Sequence, residues 1–287
     1  MTPTTADPLL KVENLSVTYG SHHGPVHAVR NVSFSVGHEK VGIVGESGSG
    51  KSTIGRALLR ILPRNAEVGG RLLLNGEDLL AKTERQMREI RGSGIAMVMQ
   101  DPKYSLNPVM KVGDQVAETL RAHGRVSRAE ARRRAMEMLA AVRIRDVERV
   151  YDLHPHEVSG GMGQRIMIAM MLVAGPQLIV ADEPTSALDV TVQMQVLDIL
   201  QELVSSAQLG LLFISHDLKL VSSFCDRVLI MYGGRIVEER RADELDQVEH
   251  PYARGLLESL PDIDRPRTRL AVLERCPTWL DPQQEAP

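Results

Sequence analysis

Two hydrophobic rhythms share this chain. Over residues 9–17 and 28–36 apolar and polar side chains alternate, with Val32, Phe34 and Val36 falling on one side. That period of two is the mark of strands with one buried face, and an antiparallel pair is expected. Residues 71–74 followed by Asn75-Gly76 read as another strand and a turn. Elsewhere the apolar residues run without a break: Val41-Gly42-Ile43-Val44, then 95–99, 178–181, 211–214 and 227–231. Short unbroken runs suit strands covered on both faces. Between them the pattern turns helical over 112–142 and 191–204, and Ser127-Arg128-Ala129-Glu130 fits a capping box. Strands alternating with helices predict a mainly parallel sheet with helices on both faces, here with a small antiparallel β layer alongside. Gly233-Gly234 predicts a hairpin that closes the core, and Pro251, Pro261, Pro266, Pro277, Pro282 and Pro287 predict a partly irregular tail after His250.

Composition narrows the setting. At 287 residues there is ample length for a core in one large or two modest domains. With 34 basic and 37 acidic residues the net charge is −3, so no global field draws the chain to nucleic acid or anionic lipid. The cluster Arg125, Arg128, Arg132, Arg133 and Arg134 is interleaved with Glu130 and followed by Glu137, the pattern of a solvated helix face. Cys225 and Cys276 lie far apart and point to a reducing compartment without a disulfide framework. Residues 1–8 lack the charged and apolar regions of a secretory signal. The most membrane-like stretch, 166–181, is divided by Pro176-Gln177 into halves too short to cross a bilayer, and reads as a buried helix followed by a buried strand. A cytoplasmic protein is expected, free to dock on a membrane partner.

The chemistry enters at Gly45-Glu46-Ser47-Gly48-Ser49-Gly50-Lys51-Ser52, which fits G-x-x-x-x-G-K-[ST] directly after an apolar strand and before a helix opening at Ser52-Thr53-Ile54. Such a loop turns backbone N–H groups inward on a helix N-terminus and holds nucleotide phosphates. Lys51 adds a point charge for the β- and γ-phosphates, and Ser52 a hard oxygen for Mg²⁺. The strand 178–181 runs into Asp182 and Glu183: the first suits a Mg²⁺-linked role, the second can polarise water for attack on the γ-phosphate. Ser159-Gly160-Gly161-Met162-Gly163-Gln164-Arg165 opens another helix that a phosphate could approach, as expected if it serves the nucleotide of a partner subunit.

With these motifs in order, the chain over about 9–260 resembles the ATPase subunits of ATP-binding cassette (ABC) transporters. The resemblance rests on the phosphate loop, Gln100, Ser159-Gly160-Gly161, Asp182-Glu183, Ser186-Ala187-Leu188-Asp189 and His216. It departs from the usual signature in having Met162 where glutamine is common, as in the peptide-importer branch. It implies an α/β fold: a P-loop NTPase core of the ABC ATPase type with an antiparallel β subdomain and a helical subdomain inserted over about 102–165. The ATPase domain would span 1–250, with a C-terminal extension over 251–287. By the same resemblance ATP and Mg²⁺ are the ligands. Tyr19 stacks on adenine, and residues 45–53, Thr53 included, hold the phosphates. Ser52, Gln100 and Asp182 serve the metal, while Lys51, Glu183 and His216 carry catalysis. Ser159, Gly160, Gly161, Met162 and Asp189 act across a head-to-tail dimer. The implied partners are a second ABC ATPase subunit, identical or related, two transmembrane permease subunits and, indirectly, an extracytoplasmic solute-binding protein, with the chain peripheral on the cytoplasmic face of the inner membrane. Nucleic acid is not among them.

Finer likeness points to the dipeptide, oligopeptide and nickel importer branch, through residues 99–108, 187–193 and His250-Pro251-Tyr252-Ala253. The segment Tyr104-Ser105-Leu106-Asn107-Pro108 is expected to offer the permease an apolar patch. Many members of that branch carry a C-terminal cysteine cluster for an iron–sulfur centre; with Cys276 alone in the tail, none is expected here. The alternative function is a soluble assembly ATPase, similar to those associated with carbon–phosphorus lyase. Cassette ATPases of translation or DNA repair usually have twin cassettes or long coiled-coil insertions, which this sequence lacks.

Overall fold

The computed structural model describes residues 8–22, 24–99, 105–186 and 188–259, arranged around two sheets. The smaller sheet has the order β2-β1-β4-β5, with β1 (Leu10–Tyr19) antiparallel to both β2 (Val26–Val36) and β4 (Ala66–Leu74), and β5 (Glu77–Asp78) at its edge. β4 begins well before the residues its sequence marks as a strand. Its first half holds Gly69-Gly70, which weaken any strand signal, and pairing such as Ala66 with Tyr19 supplies the order that propensity does not.

The larger sheet has the order β10-β9-β3-β8-β7-β6, formed by β3 (Lys40–Val44), β6 (Ile95–Val98), β7 (Leu178–Asp182), β8 (Gly210–Ser215), β9 (Arg227–Tyr232) and β10 (Arg235–Arg241). All pairs are parallel except β9–β10, where the chain reverses through Gly233-Gly234 at φ 53° and 87°. The unbroken apolar runs have a simple reason. Leu178, Val180, Leu212, Ile214, Leu229 and Met231 face one core, shared with the small sheet and helix α1 (Lys51–Leu58). Their neighbours Ile179, Ala181, Leu211, Phe213, Val228 and Ile230 face the other, beneath the remaining helices.

That second core extends through a helical layer between β6 and β7. The charged region 112–142 forms two helices, α3 (Val112–His123) and α4 (Arg128–Ala141), after α2 (Glu84–Ile90); α5 (Val147–Tyr151) and α6 (Gly160–Leu172) complete the layer. Ser127 does cap α4, accepting from the Glu130 N–H at 3.2 Å, but the Glu130 carboxylate turns to Arg133 instead of closing a capping box. Arg133 lies exposed between Glu130 and Glu137, and Arg132 sits 4.1 Å from the Tyr151 ring centre, as a solvated face implies. The membrane-like stretch resolves into α6 and β7, and no helix among the described residues is long and apolar enough to cross a membrane.

Helices α7 (Val190–Ala207) and α8 (Leu218–Phe224) cover the sheet, and α9 (Pro251–Glu258) begins where the prolines predict irregular chain. Proline at a first helical position costs no hydrogen bond, so Pro251 starts the helix. A second expectation fails outright. Leu106, offered above as a surface contact, is 5% exposed and belongs to the helical-layer core, whereas Val109 nearby is 80% exposed. Cys225 is buried; Gln100, Tyr104, Ala187 and Cys276 lie outside the described residues.

Candidate functional site

Three adjacent parallel strands, β3, β8 and β7, end on one edge of the sheet, and the chain leaving each carries chemistry. After β3 comes the loop 45–50. Gly50 has φ 101°, and a Cβ there would lie 2.2 Å from the Ala28 carbonyl oxygen, so only glycine lets the loop close on β2. Gly48 also has positive φ, 81°, while Ser47 and Gly48 stay exposed. The backbone closes with Ser49 N–H on Glu46 O at 3.2 Å and Ile54 N–H on Gly50 O at 3.1 Å.

Lys51 is buried in this loop, and its ammonium donates to the Gly45 and Glu46 carbonyl oxygens, each at 2.8 Å. Burial lowers its pKa, while Glu183, Asp182 and Glu46 oppose the shift. Among the described residues the buried Ser49 hydroxyl has no hydrogen-bond partner. Tyr19, at the end of β1, reaches the same helix: its hydroxyl lies 3.4 Å from Thr53 Oγ1.

After β7 come the two acids. The Ser52 hydroxyl donates to Asp182 Oδ1 at 2.7 Å, bridging the loop helix to the strand end. Burial raises the Asp182 pKa, and the Ser52 hydrogen bond only partly offsets it. A buried carboxylate beside a hydroxyl is a hard-oxygen pair that a divalent cation would stabilise, and Mg²⁺ completes its shell with phosphate oxygens and water. Among the described residues no cluster of three His, Cys, Asp or Glu forms a self-sufficient metal cage. Such a cation therefore fits here together with a nucleotide. Glu183 follows at φ 48°, a left-handed backbone unusual outside glycine, fixed by its N–H on the Ile214 carbonyl at 2.9 Å. From β8, His216 brings Nδ1 to 3.1 Å from Glu183 Oε1. Because an ionised carboxylate only accepts, that nitrogen is the donor.

The remaining predicted residues gather elsewhere. Ser159 caps α6, accepting from the Met162 N–H at 3.3 Å, and Asp189 caps α7, accepting from the Val192 N–H at 3.0 Å. The two caps are neighbours: a Cβ on Gly161 would lie 2.7 Å from Val192 Cγ1. Gly160 opens onto free space. Among the described residues the hydrogen bonds of this cluster do not reach 45–53. Its link to the chain leaving β7 is Gln164, 1% exposed, whose amide donates to the Pro184 carbonyl. Gln164 is a tether the motif reading passed over, although a lone amide on an apolar helix face is a visible signal. Tyr252, read from sequence only as a mark of the importer branch, also reaches the loop: its hydroxyl accepts from the Glu46 N–H at 3.1 Å.

Comparison with known proteins agrees with this geometry. The ABC transporter family pattern matches residues 29–186. The chain is 49% identical, over 91% of its length and 79% of the relative's, to a probable peptide ABC transporter ATP-binding protein of Sinorhizobium fredii. It is 45% identical to the oligopeptide transport ATP-binding protein OppD of Escherichia coli, covering 90% of this chain and 77% of that one. Its structure superposes, with a TM-score of 0.72 and 27% identity, on a dimeric ATP-binding cassette solved in a post-hydrolysis state with ADP and Pi, covering 81% of this chain and 98% of the other.

Proposed function

The chain belongs to the ABC transporter family of ATPases, and we propose that it drives peptide import as a peripheral motor subunit on the cytoplasmic face of a membrane permease. Peptide cargo is supported by the names of its relatives in Sinorhizobium fredii and Escherichia coli, which also favour the importer over a soluble assembly ATPase. The observation that carries the reading is the pair of bridges at the sheet edge, Ser52 to Asp182 and Glu183 to His216, set beside the Lys51 loop.

ATP lies with its phosphates in the loop 45–53, where the Lys51 ammonium meets the β- and γ-phosphates and the Ser49 hydroxyl finds a partner. Ser52 and Asp182, with Gln100 as the resemblance implies, would hold Mg²⁺, which would supply charge neutralisation for the transferred phosphoryl group. Glu183 orients and polarises water for in-line attack. His216 holds Glu183 through Nδ1 and presents Nε2 to the γ-phosphate. Tyr19 stacks on the adenine. Ser159, Gly160, Gly161 and Met162 close over the ATP of a second cassette subunit, identical or related, while Asp189 couples the two sites. Exposed Val190 and Met194, at 77% and 52%, supply the apolar surface such a dimer covers.

The permease is proposed to dock in an apolar groove of about 570 Å³ between β6 and the helical layer, lined by Ile61, Met97, Met99, Thr119 and Met170. Ile61 and Met99 are 45% and 41% exposed, which makes this groove a better candidate than buried Leu106. Glu183→Gln tests the catalytic reading: turnover falls by about 10²–10⁴-fold while ATP binding persists and the closed dimer accumulates. Near-normal turnover in the variant removes Glu183 from its role.

A further inference from the structure

We propose that Tyr252 is a positioning residue for the phosphate loop, its hydroxyl holding the Gly45–Glu46 peptide so that helix α9 sets where Lys51 stands. The inference rests on the phosphate-loop assignment above. The Glu46 N–H donates to Tyr252 Oη at 3.1 Å. The carbonyl of the same peptide unit, Gly45 O, accepts from Lys51 Nζ at 2.8 Å. A peptide unit is planar, so a rotation that loses one of these bonds disturbs the other. Lys51 also donates to Glu46 O at 2.8 Å, so the loop's entry and its ammonium move as one body.

Tyr252 is itself held on three sides. It is fully buried, and its ring packs on Tyr232 with centroids 4.4 Å apart at an interplanar angle of 38°. Tyr232 ends β9, the strand hydrogen-bonded to β3 from which the phosphate loop departs. The start of α9 is fixed by Glu238, whose Oε2 accepts the Glu249 N–H at 3.1 Å and the His250 N–H at 2.7 Å. Glu238 is buried and paired with Arg240 at 2.8 Å. His250 Nδ1 then accepts the Tyr252 N–H at 3.1 Å, and burial lowers the His250 pKa, favouring the neutral ring that this cap requires. A buried tyrosine hydroxyl needs a partner. Here the partner is an amide of the nucleotide loop, brought together across 206 residues of sequence. Any partner that shifts α9 therefore acts on the ATP site without touching it.

The test uses the full chain. Tyr252→Phe keeps the ring on Tyr232 and removes only the oxygen. Loosening the loop weakens ground state and transition state alike, so KM for ATP and Kd for ADP rise roughly five- to tenfold with kcat within about twofold. A tyrosine that merely fills space loses nothing by this change, since the ring stays, and leaves KM alone; unchanged KM and ADP affinity overturn the proposal. A second measurement needs no variant. In hydrogen exchange on the unaltered protein, ADP should protect the amides of α9 together with those of 45–52, as reciprocal coupling demands. Protection confined to the loop overturns the proposal. Failure of the unaltered protein to bind ADP overturns the loop assignment and this inference with it.

Discussion

The Lys51 loop and the Ser159 helix start are both glycine-rich turns leading into a helix, yet the protein treats them differently. Lys51 and Asp182 are buried, and side chains from three strand ends bond to one another across the loop, Ser52 to Asp182 and His216 to Glu183. Ser159, Gly160 and Asp189 are exposed, and among the described residues the side-chain bonds of Ser159 and Asp189 serve only their own helices. Polar groups that are bonded across elements form a site within one chain. Polar groups that are ordered by a cap and left open form half of a site. On the proposed reading the second cluster serves the nucleotide of a partner subunit, and apolar Val190 lies exposed beside it.

A large blow to the first cluster should come from His216→Ala. It removes the group bonded to Glu183, and turnover should fall by about 10²–10³-fold while ATP affinity stays within about twofold. Rapid-quench turnover alongside nucleotide titration reads both; an equal loss in affinity would place His216 among the binding groups instead.

Asp182→Asn sharpens the contrast at a smaller scale. The side chain supports a metal site through Ser52, so Mg²⁺ affinity, read from the metal dependence of hydrolysis, should drop about 10–100-fold. The pH dependence has a definite sign. Burial raises the Asp182 pKa above 3.8, so its own contribution to folding is present at low pH and lost as pH rises through the raised value. Cation binding needs the ionised form, so the Tm increase produced by Mg²⁺ and ADP should shrink as pH falls toward that raised value. Asn at 182 should flatten this acid limb; a limb that persists belongs to another group.

Much of this was legible in the chain because parallel strands ending at one edge bring their flanking motifs together whatever lies between. The unbroken runs at 178–181 and 211–214 located the edge, and the residues after them supplied Asp182, Glu183 and His216. What stayed hidden depended on contacts distant in sequence. Nothing local marks Leu106 as buried, since its cover comes from the helical layer. α2 was missed because its capping box, Thr83 with Gln86, caps a helix with a single buried residue, Met87. The Tyr252–Glu46 bond spans nearly the whole cassette.

Leu106 gives the next prediction. Leu106→Ala should destabilise the fold by about 2–5 kcal/mol, seen as a lower denaturant midpoint. Val109→Asp nearby should leave it unchanged. Equal tolerance at both positions would contradict the burial assigned to Leu106. Smallest of all, Arg133→Ala removes exposed pairs with Glu130 and Glu137 and should change neither Tm nor turnover measurably.

The split between the two clusters is tested most directly by titrating ATP into the single chain at a concentration where it is monomeric, comparing Lys51→Ala with Ser159→Arg. This comparison holds whether the physiological partner is a second copy or a related ATPase. The account predicts that Lys51→Ala abolishes binding, while Ser159→Arg binds as tightly as the unaltered chain yet cannot hydrolyse ATP when assembled. Loss of monomer binding in Ser159→Arg comparable to that in Lys51→Ala would contradict it, because both clusters would then serve the nucleotide of the same chain.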